Sequence, residues 1–387
     1  MFNAIDGHDG DVKKLTKSEQ DKVISECYQC KLCYVKCPYV PPHEWNLDFP
    51  RLMMRANAIR LRNKESSLVE RMSTNVLSRT DLVGSVSSAT SKIANKAIVS
   101  PNTFSRKLME KATGVSAQRQ LPSYAKTRFS TWWKKRTPSK LTQPQSGVAL
   151  FTTCFVEYMA PQVGKALVKV YEHNEVEVTC PAGTSCCGAP WLHSGNIEKF
   201  QDAARRNVDR LSIEVEQGRS IVIPEPTCAY VLKNDYPIYY KSKRSDIVAA
   251  NTYDVMEYLI KLKKDKNLEL KEDFKGKVPE SVTYHTPCHL RAQNIGLKAR
   301  DVLKLAGVKV NLVQECSGID GTWGYKAHNV ELSKKVMEPL ARGIEKNNDS
   351  VIIGDCHLAN TAIEESTNKR VSHPIEIVSQ AYGFTED

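Results

Sequence analysis

The pattern of apolar and polar positions changes character along the chain. From about residue 146 onward, short apolar runs alternate with amphipathic stretches. The runs are GVALF (147–151), IVI (221–223), VTYH (282–285) and SVIIG (350–354). Runs this short and rich in β-branched residues read as strands. Between them, VGKALVKVYEH (163–173) and KARDVLKLAG (298–307) carry apolar residues at helical spacing. This alternation predicts βαβ units and parallel sheets.

The preceding stretch has a different rhythm. Leu68, Val69, Met72, Val76 and Leu77 recur at helical spacing, with Arg71 and Arg79 on other faces. Leu82, Val83, Val86, Ile93 and Ile98 continue the pattern, with breaks expected at Gly84 and Pro101. Tyr124, Phe129, Trp132 and Trp133 follow, beside Lys134, Lys135 and Arg136.

Charge sharpens this division. The net charge is +11, yet from Arg51 to Gln145 there are 19 Lys and Arg against 4 Asp and Glu, leaving about −4 for the rest. Such asymmetry marks an interaction surface for nucleic acid or anionic membrane. No zinc-finger, helix-turn-helix or RNA-binding signature surrounds these charges, so no nucleic-acid partner is expected. Tryptophans beside cations suit a membrane interface. The competing expectation is a helix pair packed on the protein itself. No apolar stretch reaches the roughly 18–20 residues that span a bilayer. The N-terminus, MFNAIDGHDGDVKKL, has no apolar h-region, so a secretory leader is not expected. A reducing compartment follows, in which clustered thiols usually hold metal.

The chain has 12 cysteines. CYQCKLCYVKCP places Cys27, Cys30, Cys33 and Cys37 at C-x2-C-x2-C-x3-C, with Pro38 next, the bacterial ferredoxin run for an iron–sulfur cluster. In two-cluster ferredoxins the fourth cysteine of such a run serves the other cluster. Here either Cys37 closes a single cluster, or an upstream run is missing, or a partner supplies ligands.

The other cysteines belong to an internal repeat. The first unit has Cys154 after one strand-like run, then Cys186, Cys187 and Gly188, then Cys228 after another run. The second has Cys288, then Cys316, Ser317 and Gly318, then Cys356. Cys154 to Cys186 is 32 positions and Cys288 to Cys316 is 28; Cys187 to Cys228 is 41 and Ser317 to Cys356 is 39. Cysteines at the carboxyl ends of parallel strands converge on one edge. The glycines are expected to let backbone approach a cluster. Four thiols in the first unit suffice for one 4Fe–4S cluster, with Cys180 left structural. In the second unit, Ser317 replaces a thiol with a harder, far less acidic hydroxyl. That site is then a cluster with an open or non-cysteine-ligated iron, a 3Fe–4S cluster, or empty. His289, His285 and His357 are candidate fourth ligands.

With the run CYQCKLCYVKCP, the stretch RTDLVGSVSS, the CCG triplet at Cys186, PTCAYVLKNDYP, YHTPCH, GTWGY and GDC, the chain resembles the CCG-domain iron–sulfur proteins. These include the iron–sulfur subunit of anaerobic glycerol-3-phosphate dehydrogenase and the CCG-containing subunit of heterodisulfide reductase. CPYVPPHEWNLDFPRLMMRA, ECSGIDGTWG and GDCHLA are similar to a heterodisulfide-reductase-related, rubrerythrin-associated subgroup. The resemblance implies an α/β protein in four parts: a ferredoxin-like 4Fe–4S domain (1–60), a basic amphipathic membrane-associating segment (61–145), and two CCG domains (146–270 and 271–387). It implies a ferredoxin-type cluster on Cys27, Cys30, Cys33 and Cys37. It further implies CCG-type clusters on Cys154, Cys186, Cys187 and Cys228, then on Cys288, Cys316 and Cys356.

The implied function is electron relay between a catalytic partner, a flavin dehydrogenase or a rubrerythrin-like protein, and the quinone pool. The implied location is the cytoplasmic face of the cell membrane. The alternative is a heterodisulfide or thiol–disulfide reductase using an open iron in the second unit. Against it, Val231 and Ala359 stand where heterodisulfide reductase closes each unit with C-x-x-C. No G-x-G-x-x-G opens a helix after a strand, so no flavin or nicotinamide site of its own is expected.

Overall fold

The computed structural model describes residues 2–65 and 68–385. Among them, eight strands form two four-stranded sheets. The first contains β1 (Ser146–Leu150), β2 (Val176–Thr179), β3 (Ser220–Ile223) and β4 (Thr252–Asp254), in spatial order β2-β1-β3-β4. The second contains β5 (Ser281–His285), β6 (Lys309–Val313), β7 (Ile352–Gly354) and β8 (Val371–Ser372), in order β6-β5-β7-β8. Every pairing is parallel, with Val148 opposite Val178 and Tyr284 opposite both Leu312 and Ile353. The predicted α/β repeat is therefore present, with identical strand order in both units.

Parallel sheets need cover on both faces. Helix Pro161–His173 supplies some of it, burying Leu167, Val168, Val170 and Tyr171. The two units are also fused: Val148, Leu150 and Leu167 of the first share one apolar core with Tyr284, Ile353 and Ile375 of the second. The C-terminal helix Pro374–Ala381 packs across onto Pro161–His173.

The basic stretch forms helices Leu68–Ser78, Thr80–Ala89, Ser91–Ile98 and Phe104–Thr113. Gly84 does not break the pattern; it lies inside Thr80–Ala89. A Cβ there would stand 2.4 Å from the Tyr158 ring, so glycine is needed for close approach rather than for a turn. The chain turns instead at Thr90.

The tryptophan pair also departs from the membrane-interface expectation. Phe129 is fully buried, and Trp132 and Trp133 pack against the shared core. The Arg136 guanidinium lies 4.0 Å from the Trp133 ring centroid and pairs with buried Glu172 at 2.7 Å. Arg106 is likewise buried, donating to the carbonyls of Ile98, Ser116 and Arg119. Part of the basic excess thus serves the fold. The exposed apolar side chains lie elsewhere: Leu68 and Ile93 are 76% exposed and Phe104 is 85%, with Leu82, Val86 and Leu108 also exposed. Among the described residues no helix is long and apolar enough to cross a membrane.

Candidate cluster sites

In the first unit, the loop after β1 carries Thr153, whose side chain caps the short helix beginning at Cys154. The loop after β2 carries Cys186, Cys187 and Gly188, and the chain after β3 enters helix Pro226–Tyr230, which contains Cys228. Gly188 has φ +88, and a Cβ there would meet the Phe200 ring at 2.9 Å. The glycine therefore serves a left-handed turn and close helix packing, and its backbone N–H also reaches the Cys186 sulfur.

These four thiols form a chain of contacts. Cys154 donates to Cys186, which with burial pushes the Cys154 thiol up and holds Cys186 well below the usual thiol range. Cys187 also donates to Cys186 and is pushed up in turn, and it shares a further hydrogen bond with Cys228. A cation bound among these thiols would release their protons, as thiolate coordination requires.

The surrounding shell was less legible. Asp81 Oδ2 accepts the Cys186 backbone N–H at 3.0 Å, and burial first, then the Cys186 charge, pushes the Asp81 carboxyl up. Thr80 stands beside the Cys186 sulfur and helps to lower it. The available signal was a polar Thr-Asp pair interrupting an apolar helical stripe. Tyr236 donates to the Cys187 carbonyl at 3.0 Å, and Asn207 to the Cys186 carbonyl at 3.2 Å.

In the second unit Cys288 begins a helix after β5, Cys316 follows β6, and Cys356 caps helix His357–Thr367 after β7. The Gly318 N–H donates to Cys316 Sγ at 3.3 Å. Ser317 is buried. Burial first, then the charges of Asp320, Cys30, Cys316 and Cys356, pushes the Cys288 thiol up.

Cys30 appears in that set because the N-terminal loop docks here. Trp323 Nε1 donates to the Ser25 carbonyl at 2.8 Å, the Tyr28 and Trp323 rings lie 4.8 Å apart, and Tyr28 Oη is 3.4 Å from Cys316 Sγ. Gln29 and Lys31 adopt positive φ to form the tight loop between Cys27 and Cys33. Burial pushes the Cys30 thiol up to about 12 and raises Cys27 and Cys33. Cys33 acts electrostatically on both Cys27 and Cys30; Cys37, half-buried, follows helix Leu32–Lys36.

His285 Nε2 donates to the Glu315 carbonyl at 3.1 Å, His357 packs on Phe155, and His289 Nδ1 lies 3.1 Å from Thr227 Oγ1. Cys180 lies 3.1 Å from Thr152 Oγ1 and packs on the core, away from the four convergent thiols. Between the units lies a cavity of about 200 Å³, lined by Cys154, Cys187 and Cys228 on one side and Cys288 and Cys356 on the other. Val76, Leu77, Val83 and Ile98 close it from the basic helices.

The family model of the cysteine-rich domain, CCG, matches residues 148–233 and 282–363. The chain is 30% identical to a subunit of the anaerobic glycerol-3-phosphate dehydrogenase of Escherichia coli (strain K12), covering 93% of this chain and 99% of that one. It is 31% identical to a subunit of the fumarate reductase (CoM/CoB) of Methanothermobacter marburgensis over 62% of this chain and 47% of that one. It is 26% identical to lactate utilization protein A 2 of Bacillus cereus (strain AH820) over 60% of this chain and 98% of that one.

Proposed function

We infer that this chain, which belongs to the cysteine-rich CCG family together with its relative in anaerobic glycerol-3-phosphate dehydrogenase, is an iron–sulfur electron-transfer subunit. It relays electrons between a catalytic partner and the quinone pool. The observation that carries this reading is convergence: cysteines of both repeats line one cavity, and the N-terminal cysteine loop is anchored on the second unit. In this reading Cys27, Cys30, Cys33 and Cys37 hold a ferredoxin-type cluster. Cys154, Cys186, Cys187 and Cys228 hold a 4Fe–4S cluster, and Cys288, Cys316 and Cys356 hold the third. When bound, such clusters supply one-electron chemistry, with potentials set by hydrogen bonds to sulfur and by burial. The chain's own contribution is the Gly318 and Tyr28 contacts at Cys316, the Asp81 anchor at Cys186, and the largely apolar cavity wall.

Relatives named as subunits of a dehydrogenase and of a reductase support a separate catalytic partner; a flavin dehydrogenase or a rubrerythrin-like protein fits that role. Membrane contact is assigned to the exposed apolar side chains of helices 68–113, flanked by their Lys and Arg, and not to the tryptophan pair. The same helices wall the cavity, which gives a quinone an apolar route towards the cysteines. The test is reduction of a quinone in anionic vesicles by the dithionite-reduced, anaerobically isolated chain. Visible absorption bleached by dithionite and recovered on adding quinone is expected. A colourless chain without iron and labile sulfide ends the reading.

A further inference from the structure

The second unit has three cysteines where the first has four, with Ser317 in the place of Cys187. Three positions beyond Ser317 stands Asp320; the matching place in the first unit is Pro190. The Asp320 side chain is 5% exposed. Its Oδ1 lies 3.8 Å from His289 Nδ1, and its Oδ2 has no hydrogen-bond partner among the described residues. Leaving a carboxylate oxygen enclosed and unpaired is unfavourable unless something else meets it.

What Asp320 faces is the cysteine set. Cys288 Sγ, a ring nitrogen of His289 and a carboxylate oxygen of Asp320 lie within 4.8 Å of one another. Asp320 also acts electrostatically on Cys288, Cys316 and Cys356 alike. Of the other donors nearby, His289 Nδ1 meets Thr227, His285 Nε2 meets the Glu315 carbonyl and buried Lys31 meets Gln29; His285 Nδ1 and His193 Nε2 lack a hydrogen-bond partner among the described residues but do not belong to the group that Asp320 forms with Cys288 and His289. A carboxylic acid gives up its proton on binding a metal far more readily than a serine hydroxyl does.

We propose that Asp320 takes the place of the missing cysteine and is the fourth ligand of an iron–sulfur cluster held by Cys288, Cys316 and Cys356. This rests on the reading of the second unit as a cluster site, and it makes that cluster three-thiolate, one-carboxylate.

The test uses the full chain, isolated without oxygen, as wild type, Cys288→Ser, Asp320→Ala and Asp320→Cys. Iron, labile sulfide and electron paramagnetic resonance are measured on each. Cys288→Ser is expected to lose the second-unit cluster. Asp320→Ala is expected to lose one iron or the whole of that cluster. The signals of the other two clusters should persist, which also shows that the variant has folded. Asp320→Cys should keep wild-type iron but shift the g-values of one cluster only. If Cys288→Ser loses iron while Asp320→Ala keeps wild-type iron and spectrum, the carboxylate ligand is refuted and the cluster reading survives. If Cys288→Ser changes nothing, both fall together.

Discussion

Cys186 is the hub of the first-unit thiols: Cys154 and Cys187 donate to it, and Asp81 and Asn207 fix its backbone N–H and carbonyl. Cys187 links that hub to Cys228. Replacing Cys187 by serine should therefore remove about one cluster's four irons while leaving the N-terminal cluster's resonance intact; unchanged iron would show the first-unit ligands to be wrong. A second residue tests the electrostatics of the surrounding core. Asp235 is buried with Oδ2 unpaired, and burial pushes its carboxyl from 3.8 up to about 6. The folded chain thus holds this proton more tightly than the unfolded one. Stability from this group is full below about pH 4, falls as pH rises towards 6, and is lost above it. At neutral pH the charged form costs roughly 3 kcal/mol. Asp235→Asn should gain in urea midpoint relative to wild type between pH 5 and pH 7; a pH-independent difference would show that the carboxylate stays ionised in the fold.

At the scale of elements, the repeat was legible because strand–cysteine–helix spacing is a local signal, and both sheets follow it. Gly84 and the tryptophan pair were not legible, because their roles are set by partners distant in sequence. Gly84 faces Tyr158, and Trp133 is covered by Arg136, which answers to Glu172. In an open helix Gly→Ala stabilises by up to about 1 kcal/mol. At Gly84 the Tyr158 ring must move, so Gly84→Ala should destabilise by about 1–3 kcal/mol. Because Tyr158 ends the short helix that Cys154 begins, first-unit iron should fall as well. A raised melting temperature with full iron would contradict that packing. The amphipathic pattern did identify an apolar face, on helices 68–113. Ile93→Glu with Phe104→Glu should weaken flotation with anionic vesicles about tenfold or more, since each buried apolar side chain contributes about 1.5–3 kcal/mol. Trp133→Ala should instead lower stability with little effect on flotation. The reverse outcome would return the membrane contact to the tryptophans.

Across the whole molecule, the decisive arrangement joins residues nearly 300 positions apart: Trp323 holds Ser25, and Tyr28 reaches Cys316. The motif identified the N-terminal cysteines but carried no information about where their loop docks. Trp323 and Tyr28 lie inside the motifs GTWGY and CYQC, but nothing local to either motif pairs the two. In the proposed relay the docking sets an order, with the N-terminal cysteines beside the second unit and the cavity joining that unit to the first. Trp323→Phe keeps a ring against Tyr28 and removes the bond to Ser25, costing about 1 kcal/mol. Trp323→Ala removes the ring too, at about 3–5 kcal/mol for a well-packed site. If the docked loop sets the spacing of the first electron transfer, magnetic coupling between the N-terminal and second-unit clusters should weaken from wild type to Phe to Ala. Reduction of the N-terminal cluster itself should stay unchanged. Because first-unit iron does not depend on this contact, its constancy separates undocking from global unfolding. Coupling that survives in the alanine variant would mean that the spacing is held by other contacts.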